Sequence, residues 1–182
     1  VTGVQTCALP ISDRAGIVEG TSVAGTETIL KEYEVYMQKG FRGVSPFTMI
    51  NAYGGSGCGE IALQLGIKGH AISLNTGSAS GNDAVGYAFD MIRSDGADVM
   101  LAGGSEAPLV RPLFSAFCLT RVMSARNDSP HTAMRPFDKS RDGFVMGEGA
   151  GFLVLEELAH ALGRGAKIYA EVLGHGRSCE AY

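Results

Sequence analysis

The chain has 182 residues, enough for one domain with one sizeable core. At 45% hydrophobic and 19% charged residues it has the composition of an ordinary globular protein and not of a disordered one. A net charge of −4 gives no general attraction for nucleic acid or an anionic membrane, and no run approaches the ~18–20 apolar residues that span a bilayer, so a cytoplasmic protein without membrane insertion is expected.

Residues 1–11, VTGVQTCALPI, read as a non-native segment, because their codons can spell a common sequencing-adapter oligonucleotide in frame. Residues 12–182 then form the domain to be explained, read as a partial one because it starts without Met and stops without a terminating signal. Residues 15–22 (AGIVEGTS) predict a short buried strand leaving through Gly20. Thr26 can cap a helix with Ile29, Tyr33 and Tyr36 or Met37 on one face and Gly40 just beyond its end. Ser45-Pro46 is a second start signal for a helix running through Leu65, with a break or close backbone packing expected at the glycine-heavy residues 54–59. Residues 71–76 predict a strand, 80–93 a helix with Val85, Phe89 and Ile92 on one side, and 97–102 a strand. A long polar loop, 124–149, precedes a strand at 151–156, a short helix at 157–162 and a last strand at 167–175. The βαβαβ alternation implies parallel strands covered by helices, a layered α/β fold.

Once Cys7 is set aside with the first segment, Cys58, Cys118 and Cys179 are widely separated and odd in number, so no disulfide framework follows. His70, His131, His160 and His175 have neither zinc-finger nor H-E-x-x-H spacing. No metal and no cofactor are expected.

The most informative stretch is 72–81 (ISLNTGSASG), where a strand runs straight into a helix beside Ser78. Helix N-termini carry unpaired N–H groups and the positive end of the helix dipole, which favour an anion and suit acyl transfer. Small neighbours, Gly77, Ala79, Ser80 and Gly81, leave room for a substrate carbonyl. The alternative is that Ser78 simply caps the helix, the usual task of a serine before an apolar periodic run. A G-x-S-x-G elbow fits neither Ser78 nor Ser80.

Further stretches share one pattern: LAGGSEA (101–107), SARND (124–128), RPFDKSRDGFVMGEGAGFLVLEELAHALGRGAKIYAE (135–171) and GHGRSCEAY (174–182), the last with Glu180 where aspartate is usual. In this order they resemble the β-ketoacyl-[acyl-carrier-protein] synthases, whose active-site turn reads T-A-C-x-S-G, and among them the long-chain synthase II type. The resemblance implies a thiolase-like fold with a mixed, mainly parallel sheet covered by helices, of which this chain carries most of the first half. It implies a homodimer, acyl-ACP and malonyl-ACP as partners, and decarboxylative Claisen condensation in fatty acid or polyketide elongation. The two histidines and the lysine that assist decarboxylation in that family belong to a second half not contained in this sequence.

Carried over residue by residue, the resemblance makes Ser78 the catalytic position, in place of the family's cysteine. It makes Phe117 a lining of the entrance to the acyl site, and Arg42 and Arg121 docking positions for the acidic carrier helix, with Gly43 where a second base is usual. The charged residues Asp138, Arg141, Asp142 and Glu148 are read as loop architecture around Gly143, Gly147 and Gly149 rather than as catalytic groups. Serine changes the chemistry, because an alcohol is a weak nucleophile without an adjacent base, whereas a cysteine thiol of pKa about 8.5 can be activated by a helix N-terminus alone. Three readings follow: a slow synthase or acyltransferase, a non-condensing subunit that pairs with a competent synthase, or a single-base change between Cys and Ser codons.

Overall fold

The computed structural model describes residues 13–179 and 181; the 1–11 segment and Glu180 lie outside the described residues. Four strands and six helices follow in the order β1 (Ala15–Gly20), α1 (Thr26–Lys39), α2 (Thr48–Ala52), α3 (Ser56–Leu65), β2 (Ala71–Leu74), α4 (Ser80–Arg93), β3 (Val99–Glu106), α5 (Arg111–Thr120), β4 (Gly149–Glu156) and α6 (Leu158–Gly163), with single 3-10 turns at Phe41–Gly43 and Pro130–Thr132. The strands form one sheet in the order β2-β1-β3-β4. The first three are mutually parallel, with Val18 opposite both Ile72 and Ala102, and β4 runs antiparallel to β3. The sheet is therefore mixed and mainly parallel, as expected.

β1 is buried along its whole length because strands flank it and helices cover it, which explains why its sequence lacks polar alternation. Val18, Met100, Ala102 and Leu155 pack with Ala84, Ala88 and Ala97 into the main core, bordered by Ile72, Leu74, Val85, Phe89 and Ile92. Alanines at positions 84 and 88, one helical turn apart, let α4 lie close to the sheet. α3 covers the opposite side of β1 and β2, so the sheet sits between helical layers.

Several local expectations need correction. The helix expected from Ser45 to Leu65 breaks at the start of the glycine run, as expected, into α2 and α3 parted at 53–55, but it begins at Thr48 rather than at Ser45. Thr26 is the first residue of α1 rather than its cap, and its hydroxyl donates to the Val23 carbonyl. α5 was not foreseen; Pro112 in its first turn and Leu113, Phe114, Phe117 and Cys118 at helical spacing are the signals for it. Residues 167–175 form no strand. Among the described residues no neighbouring strand pairs with them, and apolar alternation without a ladder partner does not make a strand. The chain there crosses the outside of α4 instead, with His175 edge-on to Phe89 at 6.1 Å and Arg177 bonded to Asp83.

One contact governs how the sheet meets α4. A Cβ on Gly20 would stand 2.2 Å from the carbonyl carbon of Ser80, backbone against backbone. Gly54, by contrast, has nothing within 4 Å of the same position. Gly20→Ala is therefore expected to lower the urea midpoint by an amount equivalent to roughly 1–3 kcal/mol or more. Gly54→Ala should stay within about 0.5 kcal/mol of the parent. Equal midpoints for the two variants would contradict the close packing.

Candidate active site at the Ser78 turn

The turn between β2 and α4 is built by side chains on either side of Ser78. Gly77 has φ of 68°, a left-handed conformation that glycine adopts without strain. Asn75 bridges two segments: its amide nitrogen donates to the Ser22 carbonyl at 2.9 Å and its oxygen accepts from Gly77 N–H at 3.4 Å. Ser80, only 3% exposed, holds the turn from inside. Its hydroxyl accepts from Thr76 N–H at 2.9 Å and lies within donating distance of the carbonyls of Gly77 (2.6 Å) and Thr21 (3.2 Å).

These bonds correct the alternative reading of Ser78. The cap of α4 is Ala79, with no side-chain cap bond, and Ser78 stands one residue ahead of it. Among the described residues nothing hydrogen-bonds to the Ser78 hydroxyl, which is exposed. Ser78 is thus not the helix cap, because Ser80 has taken the backbone bonds from within the first turn. The structure leaves an unengaged hydroxyl just ahead of the positive end of a fourteen-residue helix.

Among the described residues the surroundings of Ser78 supply polarity without a base bonded to it. Thr76 Oγ1 donates to Asp83 Oδ2 at 2.5 Å, and Arg177 Nε donates to Asp83 Oδ1 at 2.9 Å. The Thr76 hydroxyl first, and the Arg177 guanidinium beside it, hold the Asp83 carboxyl below the usual carboxylate range. That carboxylate is occupied in tying the 167–179 segment to α4. His175 is bonded to Asp90, ten residues and about 15 Å along α4 from Ser80. Cys58 offers no competing nucleophile: burial first, and Glu19 nearby, push its thiol up to about 11.

The remaining sequence-derived positions lie apart from this turn. Phe117 is on α5, 37% exposed, and packs edge-on against Phe144 at 5.6 Å. Arg42 lies in the 3-10 turn after α1 with its guanidinium 5.6 Å from the Phe41 ring centroid. Arg121 ends α5 in a left-handed conformation, its N–H bonded to the Cys118 carbonyl. Both arginines are exposed. The charged loop is architectural in its contacts: Asp138 accepts from Ser140, Asp142 from Ser124, and Glu148 from Leu109 N–H. Sequence reading missed Ser80, Asn75 and Gly20 as the residues that shape the turn, and Glu19 and Glu106 beneath it. A glutamate inside the otherwise apolar AGIVEG was the available signal for Glu19.

A mixed sheet between helical layers, with a serine exposed where the β2 edge strand feeds α4, is an α/β architecture, and its solved neighbours are ketosynthases of the thiolase-like fold. Solved structures of the same architecture include the ishigamide ketosynthase/chain length factor (TM-score 0.83, 37% identity, covering 93% of this chain and 41% of that one). A β-ketoacyl synthase from Burkholderia phymatum STM815 matches with TM-score 0.75 and 37% identity over 88% of this chain and 39% of that one. The model of the β-ketoacyl synthase N-terminal domain matches residues 4–161, and the chain belongs to that family. Curated relatives include 3-oxoacyl-[acyl-carrier-protein] synthase 2 from Synechocystis (41% identity) and from Staphylococcus aureus (42%), each over 171 residues and 94% of this chain. The chain spans about two-fifths of the length of these relatives, 41% and 42% respectively.

The bonding pattern separates the two serines by experiment. Ser78→Ala should change the unfolding free energy by no more than about 0.5 kcal/mol, where loss of a true cap would cost about 1 kcal/mol. Ser80→Ala, which strips Thr76 N–H of its partner, should cost about 1–3 kcal/mol. Urea titrations of both variants check this, and the reverse order of effects would contradict the geometry.

Proposed function

We propose that the protein is the first part of a β-ketoacyl-[acyl-carrier-protein] synthase that works in the cytoplasm on acyl-ACP and malonyl-ACP as a homodimer. Ser78 stands at the acyl-accepting position. Its hydroxyl oxygen attacks the acyl thioester carbonyl, the acyl–sulfur bond breaks, the carrier thiol leaves with a proton, and the N-terminal end of α4 stabilises the oxyanion. The condensing half of the reaction, in which malonyl-ACP loses CO2 and its carbanion attacks the acyl group, belongs to the complete polypeptide. The exposed and unengaged hydroxyl of Ser78 at the start of α4 carries this reading.

In the same proposal Phe117 lines the entrance to the acyl site, and Arg42 and Arg121 meet the acidic carrier. A solved neighbour at 31% identity and TM-score 0.80, covering 85% of this chain and 40% of that one, supports the carrier as partner, being described as a type II PKS acyl-carrier protein in complex with its ketosynthase bound to the hexaketide. Free Cys58, Cys118 and Cys179 and the absence of a membrane-crossing helix among the described residues are in keeping with a cytoplasmic setting.

A second reading has its own support. Among the described residues no base touches Ser78, and one structural relative is a ketosynthase paired with a chain length factor. A non-condensing partner subunit would bind carrier and shape a neighbouring pocket without becoming acylated. Intact-mass spectrometry after incubation with acyl-ACP separates the two. Slow, incomplete acylation that is lost in Ser78→Ala is expected for the parent, and near-stoichiometric acylation for Ser78→Cys, whereas carrier binding with no acylation of the parent would favour the partner subunit. Full acylation at Ser78 of the parent would exclude the partner-subunit reading; failure of Ser78→Cys to acylate would overturn the acyl-accepting assignment.

A further inference from the structure

On the α3 side of the sheet, where β1 and β3 end, a cavity of about 400 Å³ lies between the start of α1, the start of α3 and the start of β4. That size falls within the range of small-molecule clefts. Its wall carries three carboxylates, Glu19, Glu106 and Glu148, and the hydroxyls of Thr21, Ser56 and Ser105. Among the described residues none of the three carboxylates is ion-paired with a lysine, arginine or histidine.

The three differ in how much of their bonding capacity is used. Glu106 is committed: it accepts from Thr21 Oγ1 at 3.1 Å, from Ser22 N–H at 2.6 Å and from Val23 N–H at 3.2–3.3 Å. Glu148 accepts from Leu109 N–H at 3.0 Å through one oxygen. Glu19 accepts from Ser105 Oγ at 2.5 Å through Oε1, while its Oε2 has no hydrogen-bond partner. Glu19 is only 2% exposed.

A buried carboxylate with neither a counter-charge nor a full set of hydrogen bonds is costly, and such groups are ordinarily paired. The protein makes room for this one. A Cβ at Gly57 in the first turn of α3 would stand 2.5 Å from Glu19 Oε1, so a larger residue there would make the carboxylate shift. Glu19 lines the cavity, so a positive charge held there would face its carboxylate. Among the described residues no three acidic, histidine or cysteine side chains are grouped to hold a metal ion, so a compact ion shared by all three carboxylates does not match the spacing. A planar guanidinium with five N–H donors, or a primary ammonium with three, reaches separated acceptors in a cavity of this size.

We propose that this cavity binds an organic cation, a guanidinium or primary ammonium group, with Glu19 as its principal counter-charge and Glu148 as a second acceptor. The group is carried either by a free small molecule or by a basic side chain of a second copy of this chain. The two sources share one chemistry and differ in stoichiometry and in dependence on protein concentration.

The test is calorimetric titration of the full chain with ethylguanidinium and with n-butylammonium at constant ionic strength, with KCl and MgCl2 as comparison ligands and sedimentation measured in parallel. Saturable binding of either organic cation by a monomer, weakened roughly tenfold or more in Glu19→Gln, supports a free ligand. Self-association that is abolished by Glu19→Gln and competed by ethylguanidinium supports a side chain from a second copy. Glu60→Gln, on the exposed side of α3, should leave either result unchanged. If circular dichroism shows that Glu19→Gln does not fold, Glu148→Gln takes its place, with about threefold weakening expected. Absence of both saturable binding and Glu19-dependent association, equal binding by the glutamine variant, or tighter binding of K+ or Mg2+ than of the organic cations would overturn the proposal.

Discussion

The backbone of Gly20 lies against the backbone of Ser80, and the geometry of the candidate site depends on that contact. It brings the C-terminal end of the central strand to the first residue of α4, closer than any side chain would allow. With the two backbones so close, the buried Ser80 hydroxyl reaches the Thr21 carbonyl on one side and the Gly77 carbonyl and Thr76 N–H on the other. Those bonds fold the 75–79 turn outward. Ser78 is exposed without a bond of its own because its neighbour has taken the backbone partners that a capping serine would use.

A second layer of polar contacts supports the same strand ends. Glu106, at the end of β3, receives the N–H groups of Ser22 and Val23 and the hydroxyl of Thr21, fixing the chain as it leaves β1. Thr21 therefore serves two neighbours, its side chain bonded to Glu106 and its carbonyl to Ser80. On the outer surface, Thr76 and Arg177 share Asp83 and tie the 167–179 segment across α4. β4, by contrast, is an edge strand whose consecutive residues Leu153 and Val154 are both about half exposed, at 56% and 52%, so apolar surface remains on both of its faces.

Much of this was legible in the sequence, and for physical reasons. The helix at 80–93 carries a strong apolar periodicity, and its observed bounds are those read from Ser80 and Arg93. The parallel order of β1, β2 and β3 follows from the helices that separate them. What failed was what depends on partners. Residues 167–175 have the composition of a strand but no ladder neighbour, and β3 runs on to Glu106 because β4 pairs with it through Gly103 and Gly104, residues of low strand preference. Neither the bonding of Ser80 nor the cavity around Glu19 could be read from local pattern. Both arise where segments some 60 to 90 residues apart in sequence meet, as the separations of 59 and 86 residues in the Ser80–Thr21 and Ser105–Glu19 bonds show. The turn was nevertheless found, because small residues between a strand and a periodic helix mark it locally.

Serine at this position sets the limits of the proposed chemistry. A hydroxyl gains little from a helix N-terminus alone, because its pKa lies far above neutrality, whereas a thiol at the same place would be shifted toward thiolate. The central claim is that residue 78 sits, accessible and unbonded, at the positive end of α4. The most direct measurement is the pH dependence of iodoacetamide alkylation of Ser78→Cys, followed at that residue by peptide mass mapping. A thiol titrating clearly below the ordinary value of about 8.5, and alkylated faster than Cys118, is the predicted result. A thiol titrating at or above 8.5, or one shielded from the reagent, would contradict the account.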